Sequence, residues 1–302
     1  MLRKLLFAIL LFMFGAATLL AEEVNVDSLI ALHWQKTMAL DITAAQAAYS
    51  DSWVGGEAGT FAWVSNLNAK MERRFSQKFN FKLNLRLAFG QTTVQDEESK
   101  SWSKPKKSTD LIDWENVATF PLEAFVDPYL AVRFESQFLD ASVAEKKRYF
   151  NPKKLTYSGG IARVFYRKEK GELTSRLGMA LRQLMHNDIV NLETLETKSS
   201  TDTDGGIESV TDAQFELSKR VQYIGKLSMF KGLFSSISDD VEGTEFEGFW
   251  KAVDVNFENT LKVSVSKIMT VILYNQFLYD KEITKKGRIK QTMGVGLTFT
   301  MW

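Results

Sequence analysis

From Lys78 to Gly90 the chain reads KFNFKLNLRLAFG, and no other stretch restricts its fold so tightly. Phe79, Phe81, Leu83, Leu85, Leu87 and Phe89 alternate strictly with Asn80, Lys82, Asn84, Arg86, Ala88 and Gly90. Successive side chains of a strand point to opposite faces, so this period of two makes one apolar face and one face of amides and cations. At helical spacing the same residues would scatter charge around the whole cylinder. The stretch is a strand. Which face points inward is left open by alternation alone, because a water-soluble barrel and a lipid-embedded barrel share the pattern.

Eleven further stretches alternate with uneven clarity. They lie near Trp34–Ala45, Gly59–Glu72, Thr109–Leu122, Pro128–Leu139, Leu155–Arg167, Glu172–Arg182, Thr211–Val221, Lys226–Ser235, Val253–Val265, Thr270–Tyr279 and Ile289–Met301. The phase is obscure in four of them. Asn116 interrupts the apolar parity of the fourth strand, glycines break the sixth, Lys231 shares the parity of Leu227 and Leu233 in the ninth, and the eleventh is mixed.

The connections discriminate better than any one strand. Those at Arg73–Gln77, Glu123–Asp127, Lys168–Gly171, Gln222–Gly225 and Lys267–Met269 are short. Those at Gln91–Ser108, Ala141–Lys154, Met185–Ile207 and Ser236–Gly248 are long and polar. Short turns alternating with long loops are the mark of an outer-membrane barrel, with the short turns in the periplasm. A soluble barrel would have to bury an ionic core at high desolvation cost. A two-sheet sandwich avoids that burial but explains neither the loop alternation nor a last strand running to the final residue. Trp34, Trp63, Tyr129, Tyr166, Trp250 and Tyr279 fall toward strand ends, where aromatic girdles sit.

The chain has 302 residues, 45% of them hydrophobic, enough for one large all-β domain. Residues 1–21 read as a secretory signal peptide: Arg3 and Lys4, the apolar run Leu5–Leu20, then Ala21 before Glu22. A cut after Ala17 and an uncleaved anchor helix are the competing readings. Residues 22–302 then form the barrel domain, an antiparallel up-and-down transmembrane β-barrel of about 12 strands. Arg3 and Lys4 contribute two positive charges to a net charge of +1, leaving the remainder near −1, which gives nucleic-acid binding no support. Cysteine is absent, so thiolate metal sites and disulfides are excluded.

Motifs along the first half add a resemblance. Trp53-Val-Gly-Gly-Glu57, Asn66 and Asn68, Phe79-Asn-Phe-Lys-Leu-Asn-Leu85, Phe89-Gly90, Lys107-Ser-Thr-Asp110 and Phe134-Glu-Ser-Gln-Phe138 resemble a family of uncharacterised bacterial outer-membrane β-barrels, known as a domain of unknown function. The resemblance implies a barrel in the bacterial outer membrane and implies no activity. Barrels of this kind end on an aromatic in phase with the lipid-facing residues, whereas here Met301 holds that phase and Trp302 falls one residue beyond.

With the polar faces inward, the lumen-facing candidates are Lys70, Lys82, Arg86, Arg133, Glu135, Arg176, Arg182, Asp212, Glu216, Asp254, Glu258 and Lys262. Both signs are present, so pairing across strands is expected: Lys70 and Glu72 with Lys82 and Arg86, Arg133 with Glu135, Arg176 and Arg182 with Asp212 and Glu216, Asp254 and Glu258 with Lys262. Only two histidines exist, His33 and His186, expected near opposite membrane faces, and no serine motif accompanies either. The acidic loops around Asp202 and Asp204 and around Asp239 and Asp240 read as solvated charge; no catalytic, metal or cofactor site is expected. The expected surroundings are outer-membrane lipids, with periplasmic chaperones and the barrel-assembly machinery acting in biogenesis. The leading function is a narrow channel or transport barrel for small polar solutes. A closed structural or interaction barrel comes second, and a lipid-modifying enzyme third.

Overall fold

The computed structural model describes residues 33–49, 58–96, 98–143 and 145–300. The expected signal segment, the Trp53–Glu57 turn and the terminal pair Met301 and Trp302 lie outside the described residues. Fourteen strands follow one another: β1 (Gln35–Ala47), β2 (Thr60–Ser76), β3 (Phe79–Val94), β4 (Lys106–Thr119), β5 (Asp127–Ser136), β6 (Leu139–Asp140), β7 (Arg148–Tyr149), β8 (Lys153–Lys168), β9 (Gly171–Asn191), β10 (Glu196–Ser218), β11 (Val221–Ser235), β12 (Val253–Ser264), β13 (Met269–Tyr279) and β14 (Arg288–Thr300). All but β6 and β7 form one closed antiparallel barrel in which β14 pairs with β1. The small β6–β7 sheet lies in the connection from β5 to β8. Each of the twelve alternating stretches coincides with one barrel strand. Among the described residues no helix is long and apolar enough to cross a membrane; a barrel can cross one with strands, because closure pairs their backbone groups with one another.

Register assigns the faces. On β3 and β4, Leu83 lies opposite Asn116, Leu85 opposite Trp114, and Arg86 opposite Asp113. Ile112, Trp114 and Asn116 therefore point outward, and Asp113, Glu115 and Val117 point into the lumen. Asn116 faces lipid, which is why the fourth strand has no clean apolar phase. A second outward asparagine, Asn259, accepts a 2.6 Å hydrogen bond from the Tyr223 hydroxyl on the neighbouring strand, which meets its polar demand at the lipid face. On β11, Lys226, Ser228 and Phe230 point inward, while Lys231 lies outside and donates to the Lys251 carbonyl.

Glycines in β8 and β9 mark a close approach. Tyr129 of β5 is 2% exposed, against the expectation of a girdle position, because it points into the barrel across β8 and β9. A Cβ on Gly178 would stand 2.3 Å from the Gly159 carbonyl oxygen and 2.8 Å from the Tyr129 hydroxyl, so only glycine leaves room for the ring. Tyr129, Val117, Ala131 and Ala162 form an apolar cluster of buried residues. Trp34 packs outside, edge-on to Phe75 at 5.8 Å, and Phe75 continues to Phe79 and Phe120 as an aromatic belt at the short-turn end.

The segment Met185–Ile207, expected as a loop, is mostly strand. β9 runs to Asn191 and β10 starts at Glu196, so only residues 192–195 turn. Its polar composition reflects a ribbon whose two faces both meet water. The loop bearing β6 and β7 buttresses it. Arg148 bridges Asp140 at 2.7 Å and donates to the Asn187 carbonyl at 2.5 Å, and the Asn187 amide donates to the Asn151 side chain at 2.7 Å. Burial opposes the Asp140 charge, but hydrogen bonds from Asn151 and Ser142 and the Arg148 guanidinium hold its carboxyl below the usual range.

Candidate functional site: the barrel lumen

The lumen is occupied unevenly. Three ion pairs join strands five positions apart in the ring of twelve, so they span the lumen: Arg86 on β3 to Glu258 on β12 at 2.9 Å, Lys226 on β11 to Glu115 on β4 at 3.1 Å, and Lys70 on β2 to Glu172 on β9 at 3.4 Å. Each strut is anchored at its ends. Arg86 also donates to Asp113 at 2.6 Å, and Arg133 holds Asp113 at 2.8 Å and Glu135 at 3.1 Å. Lys154 extends that chain to Glu135 at 3.5 Å. Arg176 meets Glu115 at 2.6 Å and Asp212 at 3.7 Å. Toward the short-turn end, Lys82 and Arg167 share Glu172 with Lys70, at 3.8 and 2.7 Å.

Near the long-loop end, Arg182 bridges Asp254 at 3.0 Å while its guanidinium lies 3.5 Å from the Phe230 ring centroid. Lys262 reaches Asp41 at 2.6 Å and not Glu258; Asp41 is 1% exposed and also accepts from the Thr298 hydroxyl. Glu216 stands at the short-turn rim, exposed, among the residues of a smaller pocket beside Lys170 and Gly171. The closest pairs, among them Arg86–Asp113, Arg86–Glu258, Arg133–Asp113, Arg176–Glu115 and Lys262–Asp41, are also hydrogen-bonded, the condition under which removing two charges from bulk water is tolerated.

A cavity of about 990 Å³ runs beside this mesh. It extends from Thr37, Lys70 and Thr300 near the short turns to Ala62, Thr109 and Lys290 near the long loops. Its position follows from side-chain size. The inward face of β14 carries Thr292, Gly294, Gly296 and Thr298, and that of β1 carries Thr37, Ala39, Thr43 and Ala45. Small residues on the β1–β14 side leave space that the long Arg, Lys and Glu side chains on β3, β4, β5 and β9 fill opposite. Asn66, Asn68, Asn84, Asn256 and Gln276 add amides to the open wall.

At the mouth, loop 280–287 carries Glu282. Partial desolvation, then the charges of Asp204, Asp280 and Asp254, push its carboxyl up to about 7 against the pull of Arg182. His186 lies in the ribbon with Asp188 at 3.0 Å and Asp202 at 3.8 Å. That contact set has no hydrogen-bonded nucleophile among the described residues. Nor do the described residues bring three His, Cys, Asp or Glu side chains close enough to hold a metal.

Asp113, Glu115 and Glu172, which anchor the struts, do not stand out as lumen-facing candidates in the sequence. Asp113 and Glu115 carry a signal, acids at i and i+2, but Asn116 hid the phase of their strand. Glu172 lies at the head of β9, beside a turn, where alternation is shortest.

Residues 44–141 match the model of a family described as a protein of unknown function (DUF3078). The motifs from Asn66 to Phe138 fall inside that span. The DUF3078 segment supplies Arg86, Asp113, Glu115, Arg133 and Glu135, the centre of the mesh. No curated protein matches the sequence. Similar solved structures include an outer membrane channel from Pseudomonas putida F1, at 12% identity over 92% of this chain and 99% of that chain with a TM-score of 0.42. The NanC porin is similar at 7% identity over 87% and 98%, TM-score 0.38. The translocator domain of the autotransporter NalP from Neisseria meningitidis is similar at 10% identity over 98% and 97%, TM-score 0.35. With an apolar exterior, a charged interior and every barrel strand paired on both sides along at least part of its length, the chain is an outer-membrane β-barrel.

Proposed function

We propose that the barrel is a narrow channel for small polar solutes, passing along the β1–β14 wall beside a fixed ionic mesh. The observation that carries this reading is the division of the lumen. One wall is filled by charge pairs, and the other keeps a 990 Å³ cavity along most of the strand length. Apart from Lys290 at the long-loop end, the charges bordering the path are paired with opposite charges, so most of it offers solutes amides, hydroxyls and little net field. Lipids surround the exterior, and insertion by the barrel-assembly machinery with periplasmic chaperones belongs to the same proposal. The struts themselves favour a second reading, a barrel closed by its own salt bridges whose long loops act outside.

Single-channel recording of the full chain in a planar bilayer separates the two. Small conductance steps with weak ion selectivity are expected. Large, strongly selective steps would contradict the paired lumen, and no current together with impermeability to small sugars in liposome swelling would establish the closed barrel.

The mouth adds a pH dependence. Below pH 7 Glu282 is protonated; above it the carboxylate joins Asp204, Asp254 and Asp280. Cation preference is therefore expected to rise as pH increases through about 7, and Glu282→Gln should flatten that rise. A pH-independent reversal potential in the native chain would remove Glu282 from the conduction path.

A further inference from the structure

The seam that closes the barrel is zipped only part of the way. β1 and β14 pair from Ala39 opposite Thr300 to Ala44 opposite Val295. Beyond that point both strands continue on their other sides, β1 with β2 as far as Ala47 and Thr60, β14 with β13 as far as Arg288 and Leu278. Continuing the register would set Gln46 opposite Met293 and Ala47 opposite Thr292, and neither pair forms. Met293 lies level with Leu273, and β13 runs on from there to Tyr279, so the strands part below the long-loop rim of the barrel wall.

Exposure supports an opening. Ala44, Ala45 and Gln46 are all exposed, as are Gln291, Thr292 and Met293, although alternate members of each trio point into the barrel. Lower on the seam, inward Asp41 is fully covered and bonded to Thr298. Ala44, Ala45, Thr292 and Met293 also border the lumen cavity, which therefore reaches the gap from both flanks. Among the described residues no strand covers the backbone N–H and C=O groups that β1 and β14 turn to the gap; such groups are strongly disfavoured in hydrocarbon, and water or an occupant that brings polar atoms would satisfy them.

We propose that this gap is a lateral port for an amphiphile with an anionic head and one apolar chain, passing between the lumen and the long-loop half of the bilayer. Outside the gap, Ile42, Ile289, Met293 and Val295 are exposed and would lie along the chain. Inside, Lys290 shares the inward face of β14 with Thr292. Its ammonium donates to the Thr109 hydroxyl at 3.1 Å and the Ser108 carbonyl at 3.4 Å, with no carboxylate within 4.0 Å among the described residues. Arg86, Arg133, Arg176, Lys226 and Lys262 each hold a carboxylate, so Lys290 is the cation placed to receive an anionic head. The port rests on the conduit reading, because it needs the cavity to be accessible.

The chain has no cysteine, so a single introduced pair can staple the gap. Purified full-length protein in phosphatidylcholine vesicles would be photolabelled with a diazirine-bearing palmitate, and the adducts mapped by mass spectrometry. Adducts are expected on the peptides containing Ala45–Gln46 and Thr292–Met293. They should fall several-fold when a Gln46→Cys/Met293→Cys pair is oxidised and return on reduction. Thr292→Trp, which fills the gap without a disulfide, should suppress them equally. Lys290→Gln should weaken labelling by palmitate but not by an uncharged diazirine-bearing alcohol of the same length. Labelling that ignores both the staple and the tryptophan, or crosslinks from Gln46 and Met293 into a second polypeptide strand, would overturn the port. Ion conductance in the same preparation distinguishes the readings: current without gap labelling leaves the channel standing and removes only the port.

Discussion

Arg86→Gln is expected to raise single-channel conductance several-fold and to shift the lumen toward cations. Arg86 is the one side chain that ties β3 both to its neighbour, through Asp113, and across the lumen, through Glu258. Glutamine cannot span that distance with two charge-assisted bonds, so the strut beside the cavity disappears. Asp113 keeps Arg133 at 2.8 Å, and the mesh on that wall should survive. Among the described residues Glu258 then keeps the Tyr274 hydroxyl at 3.1 Å and the Asn256 amide at 3.3 Å, while Lys226 opposite it on β11 is held by Glu115, so a carboxylate with no ion pair of its own would face the path. Arg86→Lys supplies the control: it restores charge but not the planar fork, and should give an intermediate conductance with weak selectivity. If the native barrel is closed, the same substitution should turn a silent protein into a conducting one. Conductance and selectivity unchanged in Arg86→Gln would show that the strut does not bound the conduction path.

One residue earlier, Leu85→Arg is expected to block assembly. Leu85 lies opposite Ala69 and Trp114, outward and near the middle of β3. An arginine on the lipid face near the midplane costs about 2–4 kcal/mol. Folded barrel in the outer membrane, read as heat-modifiable gel mobility, should fall sharply for Leu85→Arg and much less for Arg86→Gln. The reverse ranking would mean that the barrel is assigned inside out. Adjacent positions make the comparison strict, because strand propensity and depth are nearly the same and only the direction of the side chain differs.

The period of two is a local property, and what depends on it alone was legible in the chain. Each strand carries its own two faces, so twelve strands, their order and the inward direction of Lys82, Arg86, Glu258 and Lys262 could be read without knowing any neighbour. Where a polar residue faces lipid, as Asn116 does, the local signal fails, because the outward face is not uniformly apolar. Asp113 and Glu115 were lost to the reading for that reason. The polar ribbon of β9 and β10 has the sequence of a loop because a strand pair with water on both faces has no apolar phase to show.

Ion-pair partners are not local. Spacing by two along β5 gives Arg133–Glu135 a visible logic, but Glu258 takes Arg86 from across the ring and Lys262 takes Asp41, because closure brings together residues 172 and 221 positions apart. Barrel width decides which long side chains meet, and width is a property of the closed sheet and not of any strand. The open wall has the same origin. Gly294, Thr292, Ala39 and Thr43 are unremarkable in separate strands at opposite ends of the chain, and they make a cavity only when β1 and β14 lie side by side. The partial seam, too, exists only in the closed barrel: alternation determined that β1 and β14 are strands, but the register of closure decided how far they pair and where they part.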